Sequence, residues 1–192
     1  KNISSANRIA VILAEGDIVD ENVEGAISSE KFAKEIRKAR KDENIKAIVL
    51  RVNSPGGSIL ASDVIWREMT EAKKAKPLIV SMGEVAASGG YYISAPADTI
   101  VAQPNTITGS IGIFGILFNV QELVNDKLGV TTDVVSTGEL SDFGNMARPL
   151  TEVERTIIQS SVEDGYETFI SRVAEGRGMH PDSVRKVASG RV

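Results

Sequence analysis

Three apolar runs, each followed by a turn and a helical pattern, constrain the fold of this chain most strongly. The runs are "RIAVIL" (8–13), "IKAIVLRV" (45–52) and "PLIVSM" (77–82). The middle run is apolar on both faces, which favours a parallel strand covered on two sides. This alternation of strands and helices predicts an α/β fold in which flanking helices cover a parallel β-sheet.

The segments between the runs carry helix signals. "SSEKFAKEIRKARKDEN" predicts a helix that is capped by Ser28 or Ser29 and buries Ile36. A second helix is expected through Trp66 and Met69. A third is expected to begin at the turn that follows "PLIVSM".

The remaining chain predicts shorter elements and then a helical end. "TIVA" (99–102), "GIFGILF" (112–118) and "TTDVVS" (131–136) indicate strands, and "NVQELVNDKLG" (119–129) indicates a helix. From Pro149 onward the pattern predicts a long amphipathic helix, and a last helix begins at Pro181. We expect a single domain over residues 1–192, with 150–192 as its helical C-terminal part.

Composition excludes several classes of function. A net charge of -4 does not indicate a nucleic-acid partner, and the absence of cysteine excludes thiolate chemistry and disulfides. His, Asp and Glu do not cluster at the spacing of metal ligands, so neither a metal nor an organic cofactor is indicated.

Ser88 lies in a pattern that suits a nucleophile. The stretch Ala86-Ala87-Ser88-Gly89-Gly90 is close to the G-x-S-x-G elbow and lies between a predicted strand and a predicted helix. A serine at this position could instead serve only as an N-cap, with its hydroxyl accepting a backbone N–H. Both interpretations start from the same strand-to-helix turn.

Two glycine turns favour the catalytic interpretation. The N–H of Gly89 follows Ser88 at the positive end of a helix, and Gly57 in "NSPGG" would present a second N–H at the next helix start. Each turn follows a buried strand, so both are expected at the carboxyl edge of one parallel sheet. Together they predict an oxyanion hole beside Ser88.

The chain offers no convincing general base. His180, the only histidine, precedes Pro181 at the start of a predicted surface helix and has no carboxylate arrangement typical of a triad. A lysine base must lose water to lower its pKa, and the lysines here are expected to be solvated; Lys127 is the least unsuitable.

Three longer motifs identify a family resemblance. "RVNSPGGSILASD", "VAASGGYYISAPADTIVAQPNTITGSIGIFG" and "GYETFISRVAEGRGM" resemble the signal peptide peptidase A (protease IV) family of serine peptidases. That family is part of the Clp protease and crotonase-like superfamily. The resemblance covers nearly the whole chain and implies the layered α/β fold of that superfamily.

The resemblance also implies roles for individual residues. Family members use a Ser/Lys dyad, which places the nucleophile on Ser88 and the oxyanion donors on Gly57 and Gly89. In "VVSTGELSDFGNMARPLT", Ser141 stands where the family lysine would be. The chain therefore resembles the second, serine-bearing half of the long family members, in which the lysine belongs to the first half.

Further expectations follow from the same resemblance. It implies association with the bacterial membrane on its extracytoplasmic face, homo-oligomerisation, and cleaved signal peptides or other hydrophobic peptides as substrates. A lysine-bearing half or a neighbouring subunit would be a partner. We expect the fragment itself to be soluble and to have little peptidase activity alone. "TGSIGIFGILF" fits either a substrate groove or ordinary core packing.

Two alternative functions stay open at this point. A crotonase-like acyl-CoA enzyme would share the oxyanion hole but would use carboxylates, of which Glu84, Asp98 and Glu122 are candidates. A non-catalytic assembly module would keep the fold without its chemistry.

Overall fold

The computed structural model describes residues 7–192 of the chain. Its strands and helices follow in this order: β1 Arg8–Glu15, β2 Ile18–Val19, β3 Ile27–Ser28, α1 Ser29–Lys41, β4 Ile45–Ser54, α2 Ile59–Ala75, β5 Leu78–Ala87, α3 Gly89–Ser94, β6 Thr99–Val101, β7 Ile107–Gly109, a π-helix Leu123–Lys127, α4 Glu152–Arg177 and α5 Pro181–Val187. None of the helices in the described part is long and apolar enough to span a bilayer.

The main sheet is parallel throughout and confirms the predicted α/β class. Its strand order is β1-β4-β5-β6, and β7 pairs with the end of β5. A second parallel pair, β2 and β3, follows β1 in the chain. The three apolar runs that define the sequence pattern are thus three adjacent strands.

One face of the sheet carries the main core. Ile48, Leu50 and Val52 of β4 are fully buried, and they pack in one cluster with apolar residues of α1 and α2. The second face is less covered than the sequence predicts, because Val49 is only half-buried and Val11 on the neighbouring strand is 62% exposed. The prediction that β4 is covered on both sides is therefore wrong for one side.

A second core joins α2 and α3 to the C-terminal helices. It contains Trp66, Tyr92, Phe169, Val173 and Val184 among its buried residues. The predicted C-terminal helical segment is confirmed by α4 and α5.

The described chain divides into two compact units. The first contains the sheet and ends at Gly112, then resumes with Tyr166–Val192, and the second is Ile113–Gly165. The assignment of residues 1–192 to a single domain stays a prediction.

Two predicted strands, at 112–118 and 131–136, are absent from the described structure. Phe114 is 83% exposed and Val135 is 95% exposed, and no neighbouring strand pairs with either segment. A run of strand-forming residues is insufficient without a hydrogen-bonding partner, so these two predictions are wrong. The helix predicted at 119–129 is shorter than expected and becomes a π-helix at Leu123–Lys127.

A charged network stabilises the second unit where α4 begins. Thr151 and Glu154 form a capping box: the Thr151 hydroxyl accepts from the Glu154 N–H at 3.2 Å, and the Glu154 carboxylate accepts from the Thr151 N–H at 2.7 Å. Arg148 donates to Glu154 and to Asp142. The Arg148 guanidinium and the Thr151 N–H together lower the pKa of the buried Glu154 carboxyl to about 2.

Candidate active site

Ser88 occupies a sharp turn between a strand and a helix. β5 ends at Ala87 and α3 begins at Gly89, with Ser88 at φ 50° and ψ −120° between them. Few residues with a β-carbon adopt a positive φ, and such strain is typical of functional turns. The Ser88 N–H donates to the Gly109 carbonyl at 3.0 Å, and the Ser88 carbonyl accepts from the Tyr92 N–H at 2.9 Å. The backbone of the turn is therefore held on both sides.

The Ser88 hydroxyl has no hydrogen-bond partner among residues 7–192. Ser88 stands at the N-cap position of α3, but its side chain accepts no backbone N–H, so the interpretation of Ser88 as a hydrogen-bonding cap is wrong. The residue is half-buried, which leaves part of it accessible to solvent. The backbone of the turn is thus held in place, while the hydroxyl remains available to an activating base and to a substrate.

The second turn, at Gly56 and Gly57, depends on glycine conformations. Gly56 has φ 109° and Gly57 has φ 149°, and the Ser54 hydroxyl accepts from the Gly56 N–H at 3.2 Å. A β-carbon on Gly57 would collide with the carbonyl oxygen of Ile18. Only glycine fits this position without a shift of β2.

Ile18 of β2 orients the backbone of this turn. The Ile18 N–H donates to the Gly56 carbonyl at 2.8 Å, and the Ile18 carbonyl accepts from the Ser58 N–H at 2.8 Å. In this parallel bridge Ile18 bonds to the residues on either side of Gly57, so the backbone N–H and carbonyl of Gly57 face away from Ile18. Among the described residues, the N–H groups of Gly57 and Gly89 donate no hydrogen bond.

The two turns are in direct contact. A β-carbon built on Gly56 would lie 2.6 Å from the Gly89 nitrogen and 2.8 Å from the Ser88 Cβ. Gly89 in turn is tightly packed, since its own β-carbon would lie 2.6 Å from the Ser62 hydroxyl oxygen of α2. The sequence-predicted site residues Ser88, Gly57 and Gly89 thus lie on two touching turns at the end of β4 and β5.

Among the described residues of the first unit, none acts as a general base for Ser88. The lysines there are exposed or half-buried, and none donates to Ser88. His180 is exposed, and its Nδ1 accepts from the Asp182 N–H at 3.3 Å as the cap of α5. Ser141 and Lys127 are exposed residues of the second unit, and the Ser141 hydroxyl donates to the Gly138 carbonyl at 2.8 Å.

The carboxylates of the acyl-CoA alternative are not brought together. Asp98 accepts from the Leu78 N–H at 2.8 Å and pairs with Lys73, so it has a structural role at the start of β5. Glu84 is exposed on β5, and Glu122 belongs to the second unit. No observation favours this alternative over a serine nucleophile.

Sequence reasoning missed two residues that shape the site. Gly109, at the end of β7, supplies the carbonyl that accepts from the Ser88 N–H, and its φ is 81°. Gly56 provides the contact between the turns, whereas the sequence analysis assigned a role only to its neighbour Gly57. The two consecutive glycines of "NSPGG" were a signal for Gly56, but nothing in the local sequence pointed to Gly109.

Comparison with known proteins places the chain in a family. The model of peptidase family S49 matches residues 70–192, and the Clp protease model matches residues 4–108. A Protease 4 of Salmonella typhi is 49% identical over 186 residues, which is 96% of this chain and 30% of the relative. A putative signal peptide peptidase SppA of Enterococcus faecium is 36% identical, covering 98% of this chain and 56% of the relative.

A solved structure supports the same fold. A mutant ClpP1 from Listeria monocytogenes superposes with a TM-score of 0.57 at 19% identity, covering 92% of this chain and 77% of that one. The chain spans about 30% of the length of the Protease 4 relatives from Salmonella typhi and Haemophilus influenzae. These similarities confirm the predicted resemblance, and the chain belongs to peptidase family S49.

Proposed function

We propose that this chain is the serine-bearing half of a membrane-associated endopeptidase that degrades cleaved signal peptides and other hydrophobic peptides. Ser88 is the nucleophile, and a lysine from a partner half or a neighbouring subunit is the general base. The observation that carries this proposal is the strained Ser88 turn, with its free hydroxyl, in contact with a second turn that has an unpaired N–H among the described residues.

The geometry suits acyl transfer. Ser88 Oγ attacks the peptide carbonyl carbon, a C–O bond forms, and the hydroxyl proton passes to the neutral lysine amine. The carbonyl oxygen becomes an oxyanion that accepts from the N–H groups of Gly57 and Gly89. Collapse breaks the C–N bond, and the leaving amine takes the proton from the lysine. Water then attacks the ester with the lysine as base again, which releases the acid and restores Ser88.

The absent base accounts for the expected inactivity of the chain alone. Serine at its ordinary pKa is a weak nucleophile unless a base takes its proton. The first unit of the described chain gives Ser88 no such group, and Ser141 stands at the position where the family resemblance puts the lysine.

Reconstitution tests this proposal. We expect no turnover of a fluorogenic hydrophobic peptide by the chain alone, and turnover when the lysine-bearing half is added. Ser88→Ala should abolish that turnover, whereas Ser58→Ala, which removes a helix-capping hydroxyl near the second turn, should retain most of it. Equal turnover with and without the lysine-bearing half would contradict the shared site.

A gain of reactivity gives a second test. We expect a fluorophosphonate to label Ser88 faster in the assembly with the lysine-bearing half than in the chain alone. Binding of an acyl-CoA without labelling of Ser88 would favour the crotonase-like alternative. Assembly with the lysine-bearing half without any labelling or turnover would favour the non-catalytic module.

A further inference from the structure

A partly buried hydrogen bond joins the two helices that start at the two turns of the site. α2 begins at Ile59, two residues after Gly57, and α3 begins at Gly89, directly after Ser88. The Tyr92 hydroxyl of α3 donates to Asp63 Oδ1 of α2 at 2.7 Å. Each partner lies about one helical turn from the end that carries an oxyanion donor.

Two further groups hold this pair in place. Arg172 Nε of α4 donates to the same Asp63 oxygen at 3.3 Å. The Arg172 guanidinium carbon lies 3.7 Å from the centroid of the Trp66 ring, which fixes the cation over an aromatic face. The Tyr92 ring also packs on Phe169, with ring centroids 4.8 Å apart. Side chains from three helices therefore meet at the Asp63 carboxylate.

The network is suited to a positional role. Tyr92 is fully buried, and burial, followed by the contact with Asp63, raises the pKa of its hydroxyl above the ordinary value. The hydroxyl is therefore a permanent donor at neutral pH, and its bond to a carboxylate is charge-assisted and directional. The side chains of Asp63 and Arg172 are partly exposed, so the network lies at the solvent-facing edge of the contact between α2 and α3.

Small displacements between α2 and α3 would reach the reacting atoms. Gly89 is closely packed between Ser62 on α2 and Gly56 in the second turn: a β-carbon built on it would lie 2.6 Å from the Ser62 hydroxyl oxygen and 3.2 Å from the Gly56 Cα. An oxyanion hole requires both donors to lie about 3 Å from the same oxygen atom. A tilt of α3 against α2 would move the Gly89 N–H, whereas the Gly57 N–H, which belongs to the turn before α2, would stay in place. The two donors would then no longer converge on one oxygen atom.

From these contacts we propose that Tyr92 and Asp63 are positioning residues, which set the separation of the Gly57 and Gly89 donors by tying α3 to α2. This role requires no contact between either residue and the substrate. The inference rests on the proposed function, because it concerns the same oxyanion hole.

Tyr92→Phe tests the role with a single atom removed. In the active assembly of this chain with the lysine-bearing half, we expect kcat per titrated site to fall about 10- to 100-fold, with little change in KM. The active sites are counted by the burst of fluorophosphonate labelling. Partial unfolding would reduce the number of sites that label, but it would leave the kcat of each remaining site unchanged.

Tyr91→Phe is the matched control. It removes a hydroxyl from the same helix, and within residues 7–192 that hydroxyl donates no hydrogen bond. We expect its kcat per site to equal that of the unaltered chain. Equal kcat in the Tyr92→Phe and Tyr91→Phe variants would overturn the positioning role.

A conservative substitution at Asp63 provides the rescue arm. Asp63→Asn keeps an oxygen that accepts from Tyr92, whereas Asp63→Ala removes it, so we expect Asp63→Asn to retain more kcat per site than Asp63→Ala. Equal losses in both variants would speak against a role for this hydrogen bond.

Ser88→Ala separates failure of this inference from failure of the proposed function. If Ser88→Ala is inactive while Tyr92→Phe is fully active, only the positioning role is wrong. If Ser88→Ala is as active as the unaltered assembly, or if the assembly turns over no peptide, the proposed function is wrong and the positioning role falls with it.

Discussion

Replacement of Gly56 by alanine should damage stability and catalysis together, because one β-carbon would press on both parts of the site. The new atom would lie 2.6 Å from the Gly89 nitrogen, 2.8 Å from the Ser88 Cβ and 3.1 Å from the Ala87 carbonyl oxygen. All three neighbours belong to the backbone or to a Cβ, so none can rotate away. The Ser88 turn itself must shift.

The magnitude follows from two contributions. A β-carbon at the Gly56 φ of 109° costs about 1–2 kcal/mol in backbone strain. Overpacking in a filled site costs a further ~1–3 kcal/mol. The total lowers the free energy of unfolding by roughly 2–5 kcal/mol, which corresponds to a fall in Tm of about 4–20 °C for a chain of this size.

Gly25→Ala separates strain from collision. Gly25 has φ 80° and no atom within 4 Å of a new β-carbon, so it should lose only the strain contribution of about 1–2 kcal/mol. Calorimetry gives Tm for both variants, and peptide turnover by the reconstituted assembly gives kcat at a temperature below both transitions. We expect kcat to fall at least tenfold for Gly56→Ala and to be unchanged for Gly25→Ala. Equal Tm and equal kcat for the two variants would refute the claim that the turns are packed against each other.

Three further outcomes follow from the structure. Ser88→Gly should abolish turnover yet raise the free energy of unfolding by about 1 kcal/mol, since glycine relieves a positive φ; a lower Tm would contradict this. Glu154→Gln should lower the free energy of unfolding at pH 7. In the unaltered chain the contribution of Glu154 is complete above about pH 4.5 and should be lost as pH falls through about 2. Urea midpoints across that range measure it, and identical pH profiles for the variant and the unaltered chain would contradict the network with Arg148. Phe169→Ala should cost about 3–5 kcal/mol, because Phe169 is buried against Tyr92; thermal unfolding measures it, and a cost below about 1 kcal/mol would contradict the packing.

The strands of the main sheet could be predicted because their residues carry the signal themselves. The run at 45–52 is dense in β-branched and large apolar residues, and β4 covers Ile45–Ser54. Ser88 could be assigned to a turn from the same local pattern, since an apolar run ends just before it and two glycines follow.

The second unit shows where local patterns fail. "GIFGILF" is rich in large apolar residues, as a buried strand would be, yet Phe114 is 83% exposed and the segment has no strand partner in the described structure. Strand pairing depends on which other strand lies next to the segment in the folded chain, and a local pattern of seven residues does not contain that information.

Long-range side-chain contacts were equally inaccessible from the sequence. Asp63 and Arg172 are 109 residues apart, and their interaction depends on how the part of α4 after Gly165 packs against α2 and α3. Each residue taken alone looks like an ordinary surface charge. The significance of Tyr92 likewise arises only when α2 and α3 are placed side by side.

The interlocked glycines also limit how this protein can change. Because a single methyl group at residue 56 would strike both the Ser88 side chain and the Gly89 amide, mutation cannot adjust one of these two turns and spare the other. Under the proposed function, new substrate preferences should therefore arise from side chains that surround the two turns, while the turns themselves are inherited as one unit. A directed-evolution library would gain most by leaving residues 54–57 and 87–90 fixed and varying their surroundings.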